Sequence, residues 1–202
     1  MERREIILAS GSLARRQMLA SAGVTFVIDP AAIDEAKLLD QFKADTAKAL
    51  ALDAARFLAQ AKALDVSSRH PGAFVIGSDQ ILALGDRLFS KAADPAGARV
   101  TLLALKGRTH QLHSAVAIAF DNEIVWAHGE TASLTMRTFS DAFLERYLDE
   151  ANEALVRSVG AYELEGLGLQ LFERVEGDYF TILGMPMLPL LAELRARGAL
   201  PI

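Results

Sequence analysis

The sequence contains no cysteine. Disulfides and thiolate metal sites are therefore excluded. No stretch approaches the ~20 apolar residues of a membrane span. The opening Met1-Glu2-Arg3-Arg4-Glu5 leads into only a few apolar residues, too few for a signal peptide, so the expected location is the cytoplasm. Positive charge is not in excess either: 21 Lys and Arg stand against 26 Asp and Glu, for a net charge of −5. Broad binding to a nucleic-acid polymer needs a basic surface and is disfavoured, whereas a small anion held by a few local cations is not. The chain lacks the Gly-Lys-Ser/Thr of a P-loop and the GxGxxG of a dinucleotide site. It has no repeats, low-complexity tracts or obvious linkers.

What is present is a 202-residue chain, 51% hydrophobic and 23% charged, enough to bury a substantial core as one domain or two joined lobes. The first turn organises it. Ile6-Ile7-Leu8-Ala9 reads as a short buried strand, Ser10-Gly11-Ser12 as a corner, and a helix starts at Leu13 with Ser12 as its N-cap. Strand, small-residue corner and helix start make an anion site, and Arg15 and Arg16 add forked donors suited to phosphate. The same pattern also serves as an ordinary connection.

Further along, residues 24–28 read as a strand, and Asp34-Glu35 as acids in a loop. Residues 44–64 form an Ala/Leu-rich helical stretch carrying Lys48 and Lys62, with Leu50, Ala54, Phe57, Leu58 and Ala61 at helical spacing. Residues 73–77 read as a buried strand ending in Ser78-Asp79-Gln80, beyond which the apolar run resumes. A carboxylate between strand-like apolar residues is costly to bury unless a cation, a metal or a function accompanies it. Gly77 beside it allows close approach of another group. Asp94-Pro95 opens a helix whose expected buried face is Val100, Leu103 and Ala104. Thr109–Phe120 and Glu123–Met136 read as a hairpin turning at Asp121-Asn122, with His110 and His113 on opposite faces and so poorly placed as a metal pair. A helix starts at Ser140. Gly160, Gly166 and Gly168 then frame a shaped loop carrying Glu165. Residues 169–175 and 179–183 read as strands, and a last helix follows Pro186 with Leu188, Leu191, Ala192 and Leu194 as its buried face.

Carboxylates at Glu35 and Asp79 with cations at Arg15, Lys62 and Lys91 suit a Mg²⁺-assisted phosphate reaction, since Mg²⁺ takes one or two carboxylates plus phosphate oxygens and water.

In that order the motifs resemble the Maf family of nucleoside triphosphate pyrophosphatases. They are Leu8-Ala9-Ser10-Gly11-Ser12 with Arg15, Asp34-Glu35, Ala61-Lys62-Ala63, Ile76-Gly77-Ser78-Asp79-Gln80, Lys91, Leu105-Lys106-Gly107-Arg108-Thr109-His110, Gly160-Ala161-Tyr162 with Glu165-Gly166-Leu167-Gly168, and Gly184-Met185-Pro186. The resemblance runs from Leu8 to about Leu194. It implies an α/β fold with a mixed sheet in two lobes about a central cleft, similar to the inosine-triphosphate pyrophosphatases, within a single Maf-like domain. It implies hydrolysis of the α–β phosphoanhydride of non-canonical or modified nucleotides with a divalent cation, Mg²⁺ or Mn²⁺. Asp79 matches the catalytic base and Glu35 an acid at the metal or catalytic centre, the two together serving as metal ligands. Ser10, Arg15, Lys62 and Lys91 match phosphate-binding positions. Gln80 and Glu165 resemble the branch acting on 7-methyl-GTP rather than dTTP or UTP, and Leu171-Phe172-Glu173-Arg174 points the same way. Leu13 stands where the family usually has proline, Ala14 where that branch often has tryptophan, and Ala92 where proline usually follows the lysine. The family implies a homodimer, and its historical link to septum formation keeps a second reading open: a nucleotide-binding regulator of cell division without significant turnover.

Overall fold

The computed structural model describes residues 4–45 and 50–201. It is an α/β protein built on a mixed sheet. In chain order the elements are β1 (Ile6–Leu8), α1 (Leu13–Ser21), β2 (Val27–Ile28), α2 (Glu35–Asp45), α3 (Ala51–Ser67), β3 (Phe74–Leu84), β4 (Arg87–Phe89), α4 (Pro95–Leu105), β5 (Thr109–Phe120), β6 (Glu123–Met136), α5 (Asp141–Ala151), α6 (Ala154–Arg157), a 3₁₀ turn (Leu167–Leu171), β7 (Phe172–Glu176), α7 (Tyr179–Ile182) and α8 (Met187–Ala196). The strand order is β2-β1-β3-β5-β6-β7, with β4 pairing to β3 off this path. β1 is parallel to β2 and β3, while β3–β4 and β6–β7 are antiparallel.

The chain divides into two compact units, Met1–Gln80 with Ser114–Glu130 and Tyr179–Ile202, and Ile81–His113 with Thr131–Asp178. In the first, Ile6, Leu8, Phe74 and Ile76 face a core shared with Met18 and Leu19 of α1 and with Met187, Leu190 and Leu194 of α8. The opposite strand face meets α3. There a Cβ on Gly77 would lie 2.1 Å from the Ala59 carbonyl oxygen and 2.6 Å from the Ala63 nitrogen, so only glycine lets α3 lie this close. In the second unit Leu82, Leu102, Leu105, Leu134, Met136 and Leu144 are buried.

Several expectations are corrected. Residues 44–64 are not one helix. Glu35 is not in a loop but opens α2, whose first turn is capped by Asp34 Oδ1 accepting from the Lys37 N–H at 3.0 Å. Residues 46–49, including Lys48, lie outside the described residues. The strand expected over 24–28 is only Val27–Ile28, since Val24 turns into the core. β3 does not end in Ser78-Asp79-Gln80 but runs unbroken through them to Leu84. Residues 179–183 form a helical turn, closed by the Leu183 N–H on the Tyr179 carbonyl, and 169–171 belong to the 3₁₀ turn before β7. Apolar runs this short do not distinguish strand from helix by period. Helix faces also shift. α4 buries Ala98, Thr101, Leu102 and Leu105 and exposes Val100 and Leu103. α8 buries Met187, Leu190 and Leu194 and exposes Leu188. Both helices are apolar on more than one face, so period alone admits two phases.

Candidate active site

Strand alternation divides the work on β3. Gly77 and Asp79 project to the α3 side, Ser78 and Gln80 to the other. Because Gly77 admits α3, Lys62 reaches Asp79: its ammonium lies 2.6 Å from Asp79 Oδ1 and 2.9 Å from Glu35 Oε1. Lys62 and Asp79 are buried, whereas Glu35 is exposed. Burial pushes the Asp79 carboxyl above the usual carboxylate range, opposed by the nearby charges of Lys62 and Arg15. Lys62 is thus not the solvated helix lysine that its surroundings in the sequence allow. It is the cation that makes a buried carboxylate tolerable.

The other side of the strand is an anchor. Ser78 Oγ donates within reach of the Ala115 carbonyl at 2.8 Å and the Gly184 carbonyl at 3.0 Å. Gln80 Nε2 lies 2.9 Å from Ser114 Oγ, 3.2 Å from the Thr181 carbonyl and 2.9 Å from the Ile182 carbonyl. Its amide N–H₂ therefore ties β3 to α7, leaving the amide oxygen as the group able to meet a ligand.

Arg15 closes the arrangement. β1 ends at Leu8, after which the Ala9 N–H takes the Ile76 carbonyl. The next β3 carbonyl on that edge, Ser78, has no strand beside it and accepts from Arg15 Nη1 at 2.8 Å. The same nitrogen donates to Ser10 Oγ at 3.2 Å, and Arg15 Nε donates to the Gly184 carbonyl at 3.1 Å. Burial pushes the Arg15 guanidinium down from its usual value, opposed by Asp79 and Glu35. The guanidinium that the family resemblance assigns to phosphate spends these donors on the protein. Ser12 Oγ accepts from the Arg15 N–H at 3.5 Å, so the cap expected of it is present.

Ser10, Arg15, Glu35, Lys62, Asp79 and Gln80 thus belong to the first unit. Lys91 and Glu165 belong to the second, both exposed, Lys91 after β4 and Glu165 in the segment between α6 and the 3₁₀ turn. Ser114, Thr181 and Gly184 are supports that the sequence reading missed. Only Gly184 had a signal, its place in Gly184-Met185-Pro186. Asp65 was also missed: its Oδ2 accepts from the Ala32 N–H at 3.0 Å and steadies the segment leading to Glu35.

Asp79 Oδ1 and Glu35 Oε1 converge on one cationic atom, so the pair can share a hard cation. Among the described residues no group of three or more His, Cys, Asp or Glu could hold a metal ion. A divalent ion here would take two protein carboxylates and complete its shell with substrate oxygens and water, which suits Mg²⁺.

The family profile described as Maf-like protein matches residues 5–197. The chain belongs to the Maf-like family. A nucleoside triphosphate pyrophosphatase of Paramagnetospirillum magneticum is 53% identical over 96% of this chain and 99% of its own length. A 7-methyl-GTP pyrophosphatase of Mesorhizobium japonicum is 50% identical over 97% of this chain and 98% of its own. Among solved structures, a dITP/XTP pyrophosphatase of Mycobacterium abscessus covers 98% of this Maf-like chain at 15% identity and a TM-score of 0.40, too weak a likeness to argue from. Among the described residues no helix is long and apolar enough to cross a membrane.

Proposed function

We propose that this Maf-like protein is a nucleoside triphosphate pyrophosphatase. It adds water across the α–β phosphoanhydride of a non-canonical or modified nucleotide, giving the monophosphate and pyrophosphate. The observation that carries this reading is Asp79, a buried carboxylate with a raised pKa held by Lys62. Asp79 accepts the proton of the attacking water, a task suited to a carboxylate more basic than usual. Lys62 holds that carboxylate and sits where an anionic phosphate would be drawn in. Glu35 is exposed, shares the Lys62 ammonium with Asp79, and with Asp79 would hold a divalent ion. Such an ion, Mg²⁺ or Mn²⁺, supplies charge neutralisation on the phosphates. Arg15 keeps Ser10, Ser78 and Gly184 in register beneath the phosphates, and its positive charge adds to the field they meet.

On the resemblance to the 7-methyl-GTP branch, Lys91 serves as a further phosphate contact, the Gln80 oxygen and Glu165 as base contacts, and 7-methyl-GTP as a substrate. The Glu165 carboxylate can accept from guanine N1–H and N2–H₂ and favours a positively charged methylated base. The same reading puts the protein in the cytoplasm, as a homodimer. Supplied with Mg²⁺ and a panel of 7-methyl-GTP, dTTP, UTP and CTP, the purified protein releases pyrophosphate. Orthophosphate as the first product would overturn α–β cleavage, and a strong preference for dTTP or UTP would overturn the base assignment. A regulator without turnover would release neither product.

A further inference from the structure

The second unit holds a buried polar pair that the reaction above leaves unused. His110 on β5 and Tyr162 are both shut off from solvent, and His110 Nε2 lies 2.7 Å from the Tyr162 hydroxyl. His110 Nδ1 is buried with no hydrogen-bond partner. Burial lowers the His110 pKa to about 4, so the ring is neutral near pH 7. Whichever nitrogen carries the proton, Nδ1 stays unsatisfied, and an unmet buried polar atom costs stability. Two apolar rings in this space would carry no unmet polar atom. The pair therefore calls for a reason other than holding the core together.

The reason lies in what is wound around Tyr162. The Tyr162 N–H donates to Ser158 Oγ at 2.8 Å, and Tyr147 Oη donates to the Ala161 carbonyl at 3.0 Å. Ala161 adopts φ +58°, unusual for a residue with a side chain. A Cβ on Gly160 would lie 2.2 Å from Tyr162 Cε1. A Cβ on Gly168 would lie 2.5 Å from the Glu163 carbonyl oxygen and 3.0 Å from Tyr162 Cβ. Phe172 packs edge-on to the Tyr162 ring at 4.7 Å. The loop from Gly160 to Gly168 is thus laid directly on the tyrosine, with Glu165 exposed on its outer course. Within this set His110 is the group that meets the hydroxyl end of the ring. Its hydrogen bond is the polar contact at that end of the ring.

We propose that His110 is a positioning residue that, through the Tyr162 hydroxyl, fixes the loop presenting Glu165 and thereby sets base preference. This rests on the reading of Glu165 as a base contact. The test is the double variant His110→Phe/Tyr162→Phe, which replaces both polar groups with apolar rings. The readouts are its melting temperature and the ratio of kcat/KM for 7-methyl-GTP to that for UTP. The double variant should melt no lower than the parent at neutral pH, because it also removes the unmet nitrogen. Its ratio should move toward unity by about tenfold, the scale of one hydrogen bond's net contribution. His110→Gln, whose amide still reaches the hydroxyl, should keep the parental ratio. Glu165→Gln should erode the ratio alone, and combining it with the double variant should add nothing. If Glu165→Gln changes the ratio while the double variant does not, the inference is overturned and the reading of Glu165 stands. If Glu165→Gln leaves the ratio unchanged, both fall. If the double variant does not fold, the pair is structural and the inference falls.

Discussion

Two buried polar clusters of the molecule are handled in opposite ways. In the first unit the Asp79 carboxylate is met by an ammonium 2.6 Å away, and that ammonium also meets Glu35. In the second unit His110 and Tyr162 are buried with one hydrogen bond between them and one nitrogen unmet. The first arrangement keeps charge available, the second keeps charge out. Their proton linkage differs in sign as well. Burial raises the Asp79 carboxyl, so this group favours the folded state below its unfolded value and costs stability as pH rises through the raised one. Burial depresses His110 to about 4, so its contribution is fully present above its unfolded value near 6.5 and is lost as pH falls toward 4. A buried charge with a partner can serve chemistry, while a buried neutral pair can only hold shape.

The sharpest way to break this contrast is Asp79→Asn, which keeps the shape and removes the base. Pyrophosphate release should fall by about 10²–10⁴-fold, the range that a positioned general base contributes. An Asp79→Asn variant with near-parental turnover would remove Asp79 from the chemistry. The next effect is on acid stability. Between pH 6.5 and 4 the parent should lose on the order of 3 kcal/mol more than His110→Phe/Tyr162→Phe, measured by urea denaturation across pH. Parallel pH curves would mean that His110 is not the buried group that must charge. Gly77→Ala is the mildest. Its methyl meets backbone rather than a flexible side-chain tip, so α3 must shift, costing about 1–3 kcal/mol. Activity should fall with it, since the shift draws Lys62 from Asp79. A loss of stability with full turnover would show that this contact is not needed for catalysis.

Much of the fold was legible. The first strand, corner and helix, the Ser12 cap, the Asp94-Pro95 start and the long hairpin all follow from local signals, and the structure has them. Asp79 stood out because a carboxylate among strand residues is costly. Lys62 carried little by its helical position alone, because its partners lie 17 and 27 positions away and helical spacing says nothing of what a face will meet. Gln80 and Arg15 are read differently once folded. Each looked like a ligand contact, and each spends donors on main-chain carbonyls of the protein that no local pattern reveals.

By itself the sequence determined the elements with strong period or clear caps, the order of the phosphate-type motifs, and the presence of a carboxylate that burial would make costly. These depend on residues within a few positions of one another. Only the tertiary structure decided which face of α4 and α8 turns inward, that residues 179–182 form a helical turn, that Lys62 joins Glu35 to Asp79, and that His110 meets Tyr162. Those outcomes depend on which surfaces are brought together, and a short apolar run or a lone lysine carries no record of its distant neighbour.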